Sequence, residues 1–407
     1  MTPPAPGIER KGAGMQDQWD VVIVGGAVSG ASTAWWLKGM QPDLRVLVVE
    51  MDPTYAKSAT ALSAASIRSQ FSNPVNVNMS RFGIDFVRNF ADYLGPDGGV
   101  PDLGLRETGY LFLTRTETGA ALLEELAAMQ RELGADTHVL SPAEISGRFP
   151  WMNVGDLAAG SFGTRDEGSF DNMGLVTGFR NAARARGAVF VKDRAIGLER
   201  EGDRIVAVQL EQNGRMATGA VVSAAGTRSA QVCGWAGLSL PVEPRKRTVF
   251  IIDAPGARHP DAPLIIDPSG IYMRPENNQW LTATVPTIDG PCDADDFEPN
   301  AHEFEDEIWE KLYERAEGFG AAKVTRLWAG HYDYNTLDQN AVIGLWPGMA
   351  NFYVAAGFSG HGLQQSPAVG RGLAELITTG AYQTLDLSDL GVERVLEGRP
   401  FLEQAIV

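Results

Sequence analysis

The chain has 407 residues, of which 44% are hydrophobic and 21% are charged, so it can bury a large core and is long enough for two interleaved domains. Its formal net charge of −17 argues against nucleic acid or an anionic membrane surface as a partner, because either would require a basic face. The two cysteines, Cys233 and Cys292, are too few for a disulfide framework and have no metal-ligand spacing. We therefore expect a reducing compartment, by default the cytoplasm, and no bound metal.

The first 16 residues combine proline, glycine and mixed charges, and this composition predicts a disordered lead. They contain no long apolar stretch of the kind found in signal peptides. No other segment reaches the ~18 consecutive apolar residues of a spanning helix, so we expect no membrane span.

The first informative stretch is "DVVIVGGAVSGASTAWWLKGMQPDLRVLVVE". It predicts a buried strand over Asp20–Val24, a helix over Gly30–Met40 and a second strand over Val46–Val49. In such a βαβ unit the pyrophosphate of a dinucleotide rests on the helix N-terminus, because unpaired N–H groups and the helix dipole favour anions there.

Glycine and acidic positions in this unit point to the same function. Gly25 permits a tight turn, Gly30 allows close packing of helix on strand, and Glu50 is placed to bind ribose hydroxyls. Ala27 stands where the pattern has its middle glycine, which weakens the motif. The alternative is a purely structural turn, and the motif itself does not distinguish FAD from NAD.

The centre of the chain supplies further elements of both domains. The segment "TETGAALLEELAAMQRELGAD" predicts an amphipathic helix whose Leu and Met stripe belongs to a core rather than to a cofactor site. The segment "VKDRAIGLEREGDRIVAVQLEQNGRMATGAVVSAAG" predicts a meander beside a parallel sheet, with turns at residues 201–203 and 213–214. Its small residues at 224–226 indicate close approach, either to the cofactor domain or to a second nucleotide, but no second complete fingerprint is present.

Two segments of the second half carry polar side chains on predicted strands. "SGIYMRPENNQWLTATV" predicts a hairpin that places Tyr272 and Arg274 on the same face. "HYDYN", which begins at His331, places its histidine, aspartate and asparagine on one face and its two tyrosines on the other. One of these two faces should contact the cofactor, and the pattern leaves open which one.

Near the end, "FYVAAGFSGHGLQQSPAVGRGLAEL" predicts a strand over Asn351–Ala356 and a helix over Leu363–Thr378. The glycines between them bring the backbone close to a flat ligand, and the helix N-terminus suits the negative charge of a reduced flavin ring. The alternative is an ordinary strand–turn–helix connection, which needs fewer glycines.

The segments "DVVIVGGAVSG", "VVSAAGTRS" and "VAAGFSGHGLQQSPAVGRGLAELI" together resemble the D-amino-acid oxidase and sarcosine oxidase superfamily of FAD-dependent amine oxidoreductases. Within it, "TYAKSATALSAASIRSQFS", "FPWMNVGDLAAGSFGTRDEGSFD" and "WAGHYDYNTLDQNAVIG" are most similar to the group named FAD-dependent oxidoreductase domain-containing protein 1. In that group the eukaryotic member is linked to assembly of a respiratory complex, which supplies a non-enzymatic alternative.

The resemblance implies a set of cofactor contacts along the whole chain. They lie in the first turn and helix, in the loop that passes the flavin, in the strand ends and in the glycine-rich turn. The residues are Gly25, Gly26, Ala27, Val28, Ser29, Gly30, Glu50, Met51, Ser58, Ala61, Ser63, Ala64, Ala65, Ser66, Ala195, Ala225, Gly226, Gly330, Gly357, Gly360, His361, Gly362, Leu363 and Gln364.

Three departures from sarcosine oxidases shape the expected site. Those oxidases have a lysine for the substrate carboxylate at the position of Gln364, and a cysteine that binds the flavin covalently at about the position of His331. We therefore expect a different carboxylate anchor and non-covalent FAD, with His331 as the other potential attachment point. No lysine lies between Lys246 and Lys311, where monomeric sarcosine oxidase has the lysine that promotes reaction with O2, so dehydrogenase behaviour is plausible.

The substrate side of the site is predicted from polar residues near the expected flavin. Arg68 is a bidentate clamp for a carboxylate or, alternatively, a structural ion pair, and Arg274 is its rival. His361 is either a backbone spacer with a satisfied ring or a base. The predicted substrate-side residues are Arg68, Arg274, His331, Tyr332, His361 and Gln364.

The resemblance implies an α/β fold, α+β overall, with a discontinuous Rossmann-like FAD-binding domain and a second domain built on an antiparallel substrate sheet. We assign residues 17–100, 141–240 and 331–380 to the first domain, 101–140 and 241–330 to the second, and 381–407 to a C-terminal tail.

The implied activity is oxidation of the C–N bond of a secondary amine such as an N-methyl amino acid, of a D-amino acid or of a related amine, with O2 or another electron acceptor. Hydride passes to flavin N5, and the resulting imine is hydrolysed by water. A flavoprotein assembly factor and a pyridine-nucleotide reductase are the alternatives, and the single nucleotide fingerprint disfavours the reductase.

Overall fold

The computed structural model describes residues 18–404, so the predicted disordered lead lies outside the described residues. The described chain forms two large β-sheets and a small one. The strands, in chain order, are β1 Gln18–Val24, β2 Val46–Glu50, β3 Ser66–Ile67, β4 Tyr110–Thr114, β5 Thr137–Leu140, β6 Ala159–Gly163, β7 Gly168–Ser169, β8 Val189–Lys192, β9 Ala195–Glu201, β10 Arg204–Leu210, β11 Gly214–Ser223, β12 Val242–Asp253, β13 Leu264–Ile266, β14 Ile271–Glu276, β15 Gln279–Thr284, β16 Lys323–Asn335, β17 Val342–Leu345 and β18 Phe352–Ala356.

Helices cover the first sheet and connect it to the second. In chain order they are α1 Val28–Met40, α2 Ala59–Leu62, α3 Pro74–Arg88, α4 Phe90–Leu94, α5 Glu117–Glu132, α6 Pro142–Arg148, α7 Asn172–Ala185, α8 Ser229–Trp235, α9 Trp309–Arg315, α10 Gly362–Thr379 and α11 Glu393–Leu396. Within residues 18–404, none of these helices combines the length and the apolar character that crossing a bilayer requires.

The first sheet has the strand order β17-β18-β11-β1-β2-β8, and β10 and β9 extend it from β11. β1 pairs in parallel with both β2 and β11. The predicted βαβ unit is confirmed, and so is the meander, since β9 to β11 form successive antiparallel pairs. Gly202 and Gly214 adopt positive φ at its two turns, as hairpin connections of this length require.

Helix α1 is buried on almost every side because it lies between the first sheet and the helices α7 and α10. Two glycines permit this close packing. A Cβ on Gly30 would lie 1.9 Å from the carbonyl oxygen of Gly25, and a Cβ on Gly370 would lie 2.2 Å from Oγ of Ser32. The N-terminus of α1 is thereby pressed against the end of β1, as predicted for Gly30.

The second sheet has the order β16-β12-β15-β14-β13-β4-β6-β5. Its pairs are antiparallel except β4 with β13, which run parallel, so the sheet is mixed rather than purely antiparallel. The predicted hairpin is confirmed as β14 and β15. β12 and β16 pair along nearly their whole length, and this brings residues 330–333 of β16 to the boundary between the two sheets.

The predicted division of the chain differs from the observed one in three places. β6 pairs with β4 and β5 of the second sheet, so the chain returns to the first sheet after residue 163 and not at residue 141. Its sequence "AGSFG" is glycine-rich and shows no strand alternation. β16 also crosses the predicted boundary at residue 330. Residues 381–404 are not a separate tail, because Leu387, Leu390 and Val392 are fully buried in the cores.

Helix α5 confirms the predicted amphipathic helix, although its apolar stripe is only partly covered. Leu122 is 37% exposed, and Leu123, Leu126 and Met129 are half-buried. The helix packs on β5 and β6, at the edge of the second sheet.

Candidate active site

A cavity of about 510 Å³ lies between the two sheets. The first sheet contributes the β1–α1 turn, Glu50, the strand end at residues 224–228 and the start of α10. The second contributes Tyr110, Arg247, Tyr272 and the segment 330–333. A ligand in this cavity would therefore contact both halves of the molecule.

One end of the cavity is formed by the N-terminus of α1. Its N-cap, Ala27, makes no side-chain capping hydrogen bond, and the first turn contains no acidic residue. The backbone N of Val28 donates to Oγ1 of Thr60 at 3.5 Å, and the next N–H groups of the turn are available to an anion. Gly25 has φ of +99°, and a Cβ on it would lie 2.3 Å from the carbonyl oxygen of Ala224. Only glycine fits this turn, as the sequence predicts.

Glu50 holds the same turn together from the end of β2. Its carboxylate accepts hydrogen bonds from the backbone N of Gly26 at 2.8 Å and from the backbone N of Asp52 at 2.8 Å. Burial raises the pKa of Glu50, although these hydrogen bonds oppose the shift. Glu50 lines the cavity beside Met51 and Asp52, which is the placement expected of a ribose ligand.

The glycine-rich turn before α10 lines the cavity through residues 360–362. The positions of the missing Cβ atoms show why glycine occurs there. A Cβ on Gly360 would lie 2.9 Å from the ring of Tyr332, and a Cβ on Gly362 would lie 3.0 Å from the ring of Phe358. These glycines thus make room for protein side chains and not, as expected from the sequence, for the flavin ring. The backbone itself borders the cavity.

Asp333 braces this turn from β16. Its Oδ2 accepts a hydrogen bond from the backbone N of Phe358 at 3.2 Å, and its backbone carbonyl accepts one from the N of Ser359 at 3.1 Å. Burial raises the pKa of Asp333 to about 6. The N-cap of α10 is His361, which makes no side-chain capping bond, so this second helix N-terminus also presents unpaired N–H groups to the cavity.

Three of the predicted substrate-side residues meet in the cavity lining. Arg68 is 2% exposed, and its Nη2 lies 3.0 Å from Nε2 of His361. Its backbone N donates to Oε1 of Gln364 at 2.7 Å. The guanidinium lies 4.0 Å from the ring centre of Phe71 and 5.1 Å from that of Phe112.

His361 is held in its neutral form by these surroundings. A guanidinium only donates hydrogen bonds, so Nε2 of His361 accepts from Arg68. Burial, and secondly the charge of Arg68, hold the pKa of His361 well below its usual range. The ring also meets Phe71 edge-on, with centroids 5.0 Å apart. This explains the histidine as a satisfied polar group that supports Arg68.

His331 lies on the cavity wall in a closed environment of its own. Its Nε2 lies 2.6 Å from the carbonyl oxygen of Asp296, and its ring stacks on Phe297 with centroids 4.2 Å apart. Its Nδ1 is buried and has no hydrogen-bond partner among the described residues. Burial lowers the pKa of His331. The nearby Lys246 pairs with Asp296 at 2.6 Å.

Most of the sequence-predicted residues are brought to this cavity. Its lining contains Gly25, Ala27, Val28, Ser29, Glu50, Met51, Ser58, Ser63, Ala64, Ala65, Ser66, Arg68, Ala195, Ala225, Gly226, Gly330, His331, Tyr332, Gly360, His361, Gly362, Leu363 and Gln364. Both faces of the "HYDYN" strand contribute, because His331, Tyr332 and Asp333 all line it.

Five predicted residues do not line the cavity. Gly26, Gly30, Ala61 and Gly357 belong to its supporting turns. Arg274 is directed elsewhere: its Nε donates to the carbonyl oxygen of Ala64 at 3.0 Å, and its Nη1 pairs with Glu276 at 2.6 Å. Arg274 therefore holds the loop behind the cavity.

Sequence reasoning missed several lining residues from the second sheet. Tyr110 donates from its hydroxyl to Oγ of Ser66 at 2.5 Å, and Arg247 pairs with Asp289 at 2.7 Å. Thr60, on α2, also lines the cavity. Arg247, the second arginine of "RKRTVF", could have been singled out from the sequence, because a charged side chain at the start of an apolar stretch needs a partner.

Comparison with known proteins gives consistent results. The family described as "FAD dependent oxidoreductase" matches residues 20–376. FAD-dependent oxidoreductase domain-containing protein 1 of Bos taurus is 39% identical over 95% of this chain and 87% of its own length. The crystal structure of L-proline dehydrogenase from P. horikoshii superposes with a TM-score of 0.84 at 25% identity, over 95% of this chain and 100% of that one. Glycine oxidase from Geobacillus kaustophilus superposes with a TM-score of 0.78 at 23% identity, over 92% and 98%.

Proposed function

Because the chain belongs to the FAD-dependent oxidoreductase family, we propose that it oxidises the C–N bond of an N-alkyl or D-amino acid, or of a related amine, with FAD held in the cavity. The product is an imine, which water hydrolyses to a carbonyl compound and an amine or ammonia. O2 or another oxidant takes up the electrons.

The residues present fit FAD in two respects. Two helix N-termini without side-chain caps or first-turn acids border one cavity, and Gly25 closes the turn beside the first of them. The α1 N-terminus would hold the pyrophosphate, Glu50 the ribose, and the α10 N-terminus the ring. Bound FAD would supply the acceptor for the hydride that leaves the carbon next to the nitrogen.

The observation that carries the proposal is the placement of Arg68. It directly follows β3, and the first turn of α10 holds it through His361 and Gln364. A guanidinium in this position would bind a substrate carboxylate with two charge-assisted hydrogen bonds. The fixed carboxylate would in turn orient the amine carbon toward the ring held by α10, which is the positioning that such a reaction needs.

The geometry of His361 supports a positioning role rather than that of a base. Its Nε2 lone pair is engaged by Arg68, and its pKa lies well below the usual range. The amine must be neutral to give up a hydride, and its proton can leave to water before binding. The rings of Phe71 and Phe112 cover the guanidinium and keep water from its faces.

We also propose that the FAD is not covalently attached. His331 stands at about the position of the attaching cysteine of sarcosine oxidases, but its two ring nitrogens are enclosed. Nε2 bonds to Asp296, and Nδ1 is buried from the cavity surface. This arrangement supports a wall residue rather than an attachment point.

One titration tests the proposed function. The purified protein is mixed anaerobically with a panel containing N-methylglycine, L-proline, D-proline, D-alanine and glycine, and flavin absorbance is followed. Bleaching by at least one secondary or D-amino acid is expected. A protein that retains FAD but is bleached by none of them would contradict the proposal and favour the assembly-factor alternative.

A further inference from the structure

The small β-sheet joins Arg68 to a buried glutamate. β3 pairs antiparallel with β7, with Ser66 opposite Ser169 and Ile67 opposite Gly168. The next residues along the two strands are Arg68 and Glu167. The carboxylate thus lies at the base of the segment that carries the arginine, although the two residues are 99 positions apart in sequence (167 − 68).

Both oxygens of Glu167 hold the residues that follow Arg68. Oε1 accepts from the backbone N of Ser69 at 2.7 Å, and Oε2 accepts from Nε2 of Gln70 at 2.8 Å. The backbone carbonyl of Gln70 in turn accepts a hydrogen bond from Nη1 of Arg68. A continuous path of hydrogen bonds therefore runs from the glutamate through Gln70 to the guanidinium.

Gln70 is itself fixed by the second sheet. Its Nε2 also donates to the backbone carbonyl of Tyr110 on β4 at 3.1 Å, and its Oε1 accepts from Oγ of Ser161 on β6 at 2.7 Å. The amide thus has partners on both sides. It therefore fixes the segment 68–70 relative to the second sheet and to Glu167.

The fold makes room for this carboxylate at some cost. Glu167 is 1% exposed, and it is absent from the cavity lining, so a ligand there would not touch it. A Cβ on Gly163 of β6 would lie 2.1 Å from its Oε2, which means that the glycine leaves the necessary space. Burial raises the pKa of Glu167 to about 7. For packing alone, an apolar side chain would be less costly than a buried carboxylate.

We propose that Glu167 is a positioning residue that, through Ser69 and Gln70, fixes the orientation in which Arg68 receives a carboxylate. The inference rests on the proposed function only in taking a carboxylate as the group that Arg68 binds. It assigns to Glu167 no contact with substrate or cofactor.

The test compares an unreactive matched pair, propanoate and propanamide, which differ only in charge at one end. The holoprotein is titrated with each, and the perturbation of flavin absorbance gives two dissociation constants. Glu167→Gln is expected to keep its FAD and its melting temperature within a few degrees. We expect its preference for propanoate over propanamide to fall about five- to tenfold, because the new amide presents a donor to Nε2 of Gln70.

A second variant and a control make the result specific. Glu167→Asp keeps the charge but is one methylene too short to reach both Ser69 and Gln70, so a similar loss is expected. Glu303→Gln removes another buried glutamate, which is 4% exposed and does not line the cavity. It should leave the preference for propanoate unchanged.

A pH profile separates positioning from a merely structural role. Arg68 and Tyr110 are charged or titratable side chains that interact with Glu167. Since its pKa is about 7, the wild-type preference for propanoate should rise between pH 6 and pH 8 as the carboxyl ionises. In Glu167→Gln the preference should be constant over this range.

The outcomes distinguish this inference from the proposed function. If the wild type prefers propanoate and both Glu167 variants keep that preference at every pH, the positioning role is wrong. If the wild type shows no preference, Arg68 is not a carboxylate anchor and the role of Glu167 is wrong, whereas the oxidoreductase activity is decided separately by the bleaching titration. Bleaching by an amine without any propanoate preference would preserve the oxidoreductase activity and overturn the role of Glu167 alone.

Discussion

Nε2 of His361 lies 3.0 Å from Nη2 of Arg68, so a neutral imidazole at the start of α10 accepts a hydrogen bond from the buried guanidinium at the end of β3. Three residues further along the same helix, Oε1 of Gln364 accepts from the backbone N of Arg68 at 2.7 Å. The helix that borders the cavity with its N-terminus thus also sets the position of the arginine. The proposed cofactor site and the proposed substrate anchor are therefore built on the same turn.

Replacing Arg68 by lysine should weaken binding of an N-alkyl amino acid at least about tenfold more than binding of the amine that lacks its carboxyl group. Lysine keeps the charge but loses the two-pronged geometry, and charge-assisted hydrogen bonds contribute roughly 1.5–3 kcal/mol. Half-saturation of anaerobic flavin bleaching gives both values. The matched control is Arg274→Lys, since Arg274 does not line the cavity and bonds to the backbone of Ala64 and to Glu276. If Arg274→Lys discriminates and Arg68→Lys does not, the anchor is Arg274.

Two substitutions of His361 should have unequal effects. His361→Leu removes the acceptor for Arg68, and we expect a loss of carboxylate preference of about fivefold, in line with a hydrogen bond of about 1 kcal/mol. His361→Gln retains an acceptor oxygen and should lose less. Because burial and Arg68 keep the pKa of His361 well below 6.5, the ring is neutral from pH 6.5 upward, and its stabilising contribution is lost only as the pH falls below that value. The pH profile of flavin reduction above pH 6.5 should therefore be the same in His361→Gln and in the wild type. If the wild-type rate rises with pH and the rate of His361→Gln does not, the histidine acts as a base.

Local patterns predict the elements of the first sheet that line the cavity. The βαβ unit and α10 follow from apolar periodicity and from glycines whose positive φ or close packing has a local cause, as at Gly25 and Gly30. The need for a bare backbone at Gly360 is also visible in the sequence. The sequence does not show which group a Cβ at Gly360 would meet, because the ring of Tyr332 comes from the other large sheet.

Contacts between distant segments account for what the sequence did not reveal. Arg68 and His361 are 293 positions apart, and only the docking of α10 against β3 brings them together. The alternation of side chains along a strand correctly predicts that Tyr272 and Arg274 share a face. It does not predict how far the cavity extends along that strand, and of the two only Tyr272 lines the cavity. The early boundary at residue 141 has the same origin, since the pairing of β6 is non-local.

Glu50→Ala should weaken FAD binding about tenfold or more without unfolding the apoprotein. The carboxylate accepts from the backbone N of Gly26 and of Asp52, so its removal loosens the turn at the N-terminus of α1 as well as removing the expected ribose contact. FAD affinity is measured by reconstituting the apoprotein, and its fold is checked by circular dichroism. Glu201→Ala, at an exposed turn of the meander, is the control. Unchanged FAD affinity in Glu50→Ala would show that Glu50 is not a ribose ligand.

Acid precipitation should release the FAD intact into the supernatant. The prediction follows from the enclosed ring of His331, whose Nε2 bonds to Asp296 and whose Nδ1 is buried. His331→Leu should consequently retain as much FAD as the wild type, or slightly less because the stacking on Phe297 changes. Yellow colour that stays with the denatured wild-type pellet, and leaves it in His331→Leu, would establish a covalent bond to this histidine.

Glu303→Gln should stabilise the protein much more at pH 8 than at pH 5. Oε1 of Glu303 has no hydrogen-bond partner among the described residues, and burial, together with Glu307, raises its pKa to about 7, while Arg247 and Lys246 oppose the shift. Because the pKa of this carboxyl is higher in the folded than in the unfolded protein, the protein loses stability as the pH rises from 4.5, the unfolded pKa, through 7.

The charge that costs this stability is absent from the glutamine variant. At pH 8 the gain in unfolding free energy should be about 1–3 kcal/mol, since each pKa unit corresponds to roughly 1.4 kcal/mol. At pH 5 the carboxyl is protonated in the folded state but partly ionised in the unfolded state, so only a small part of this gain should remain. Denaturant unfolding of the apoprotein at both pH values measures the difference, and Glu305→Gln, an exposed neighbour, should show none. An equal gain at pH 5 and pH 8 would mean that the charge on Glu303 is already compensated, and that the glutamine acts through packing.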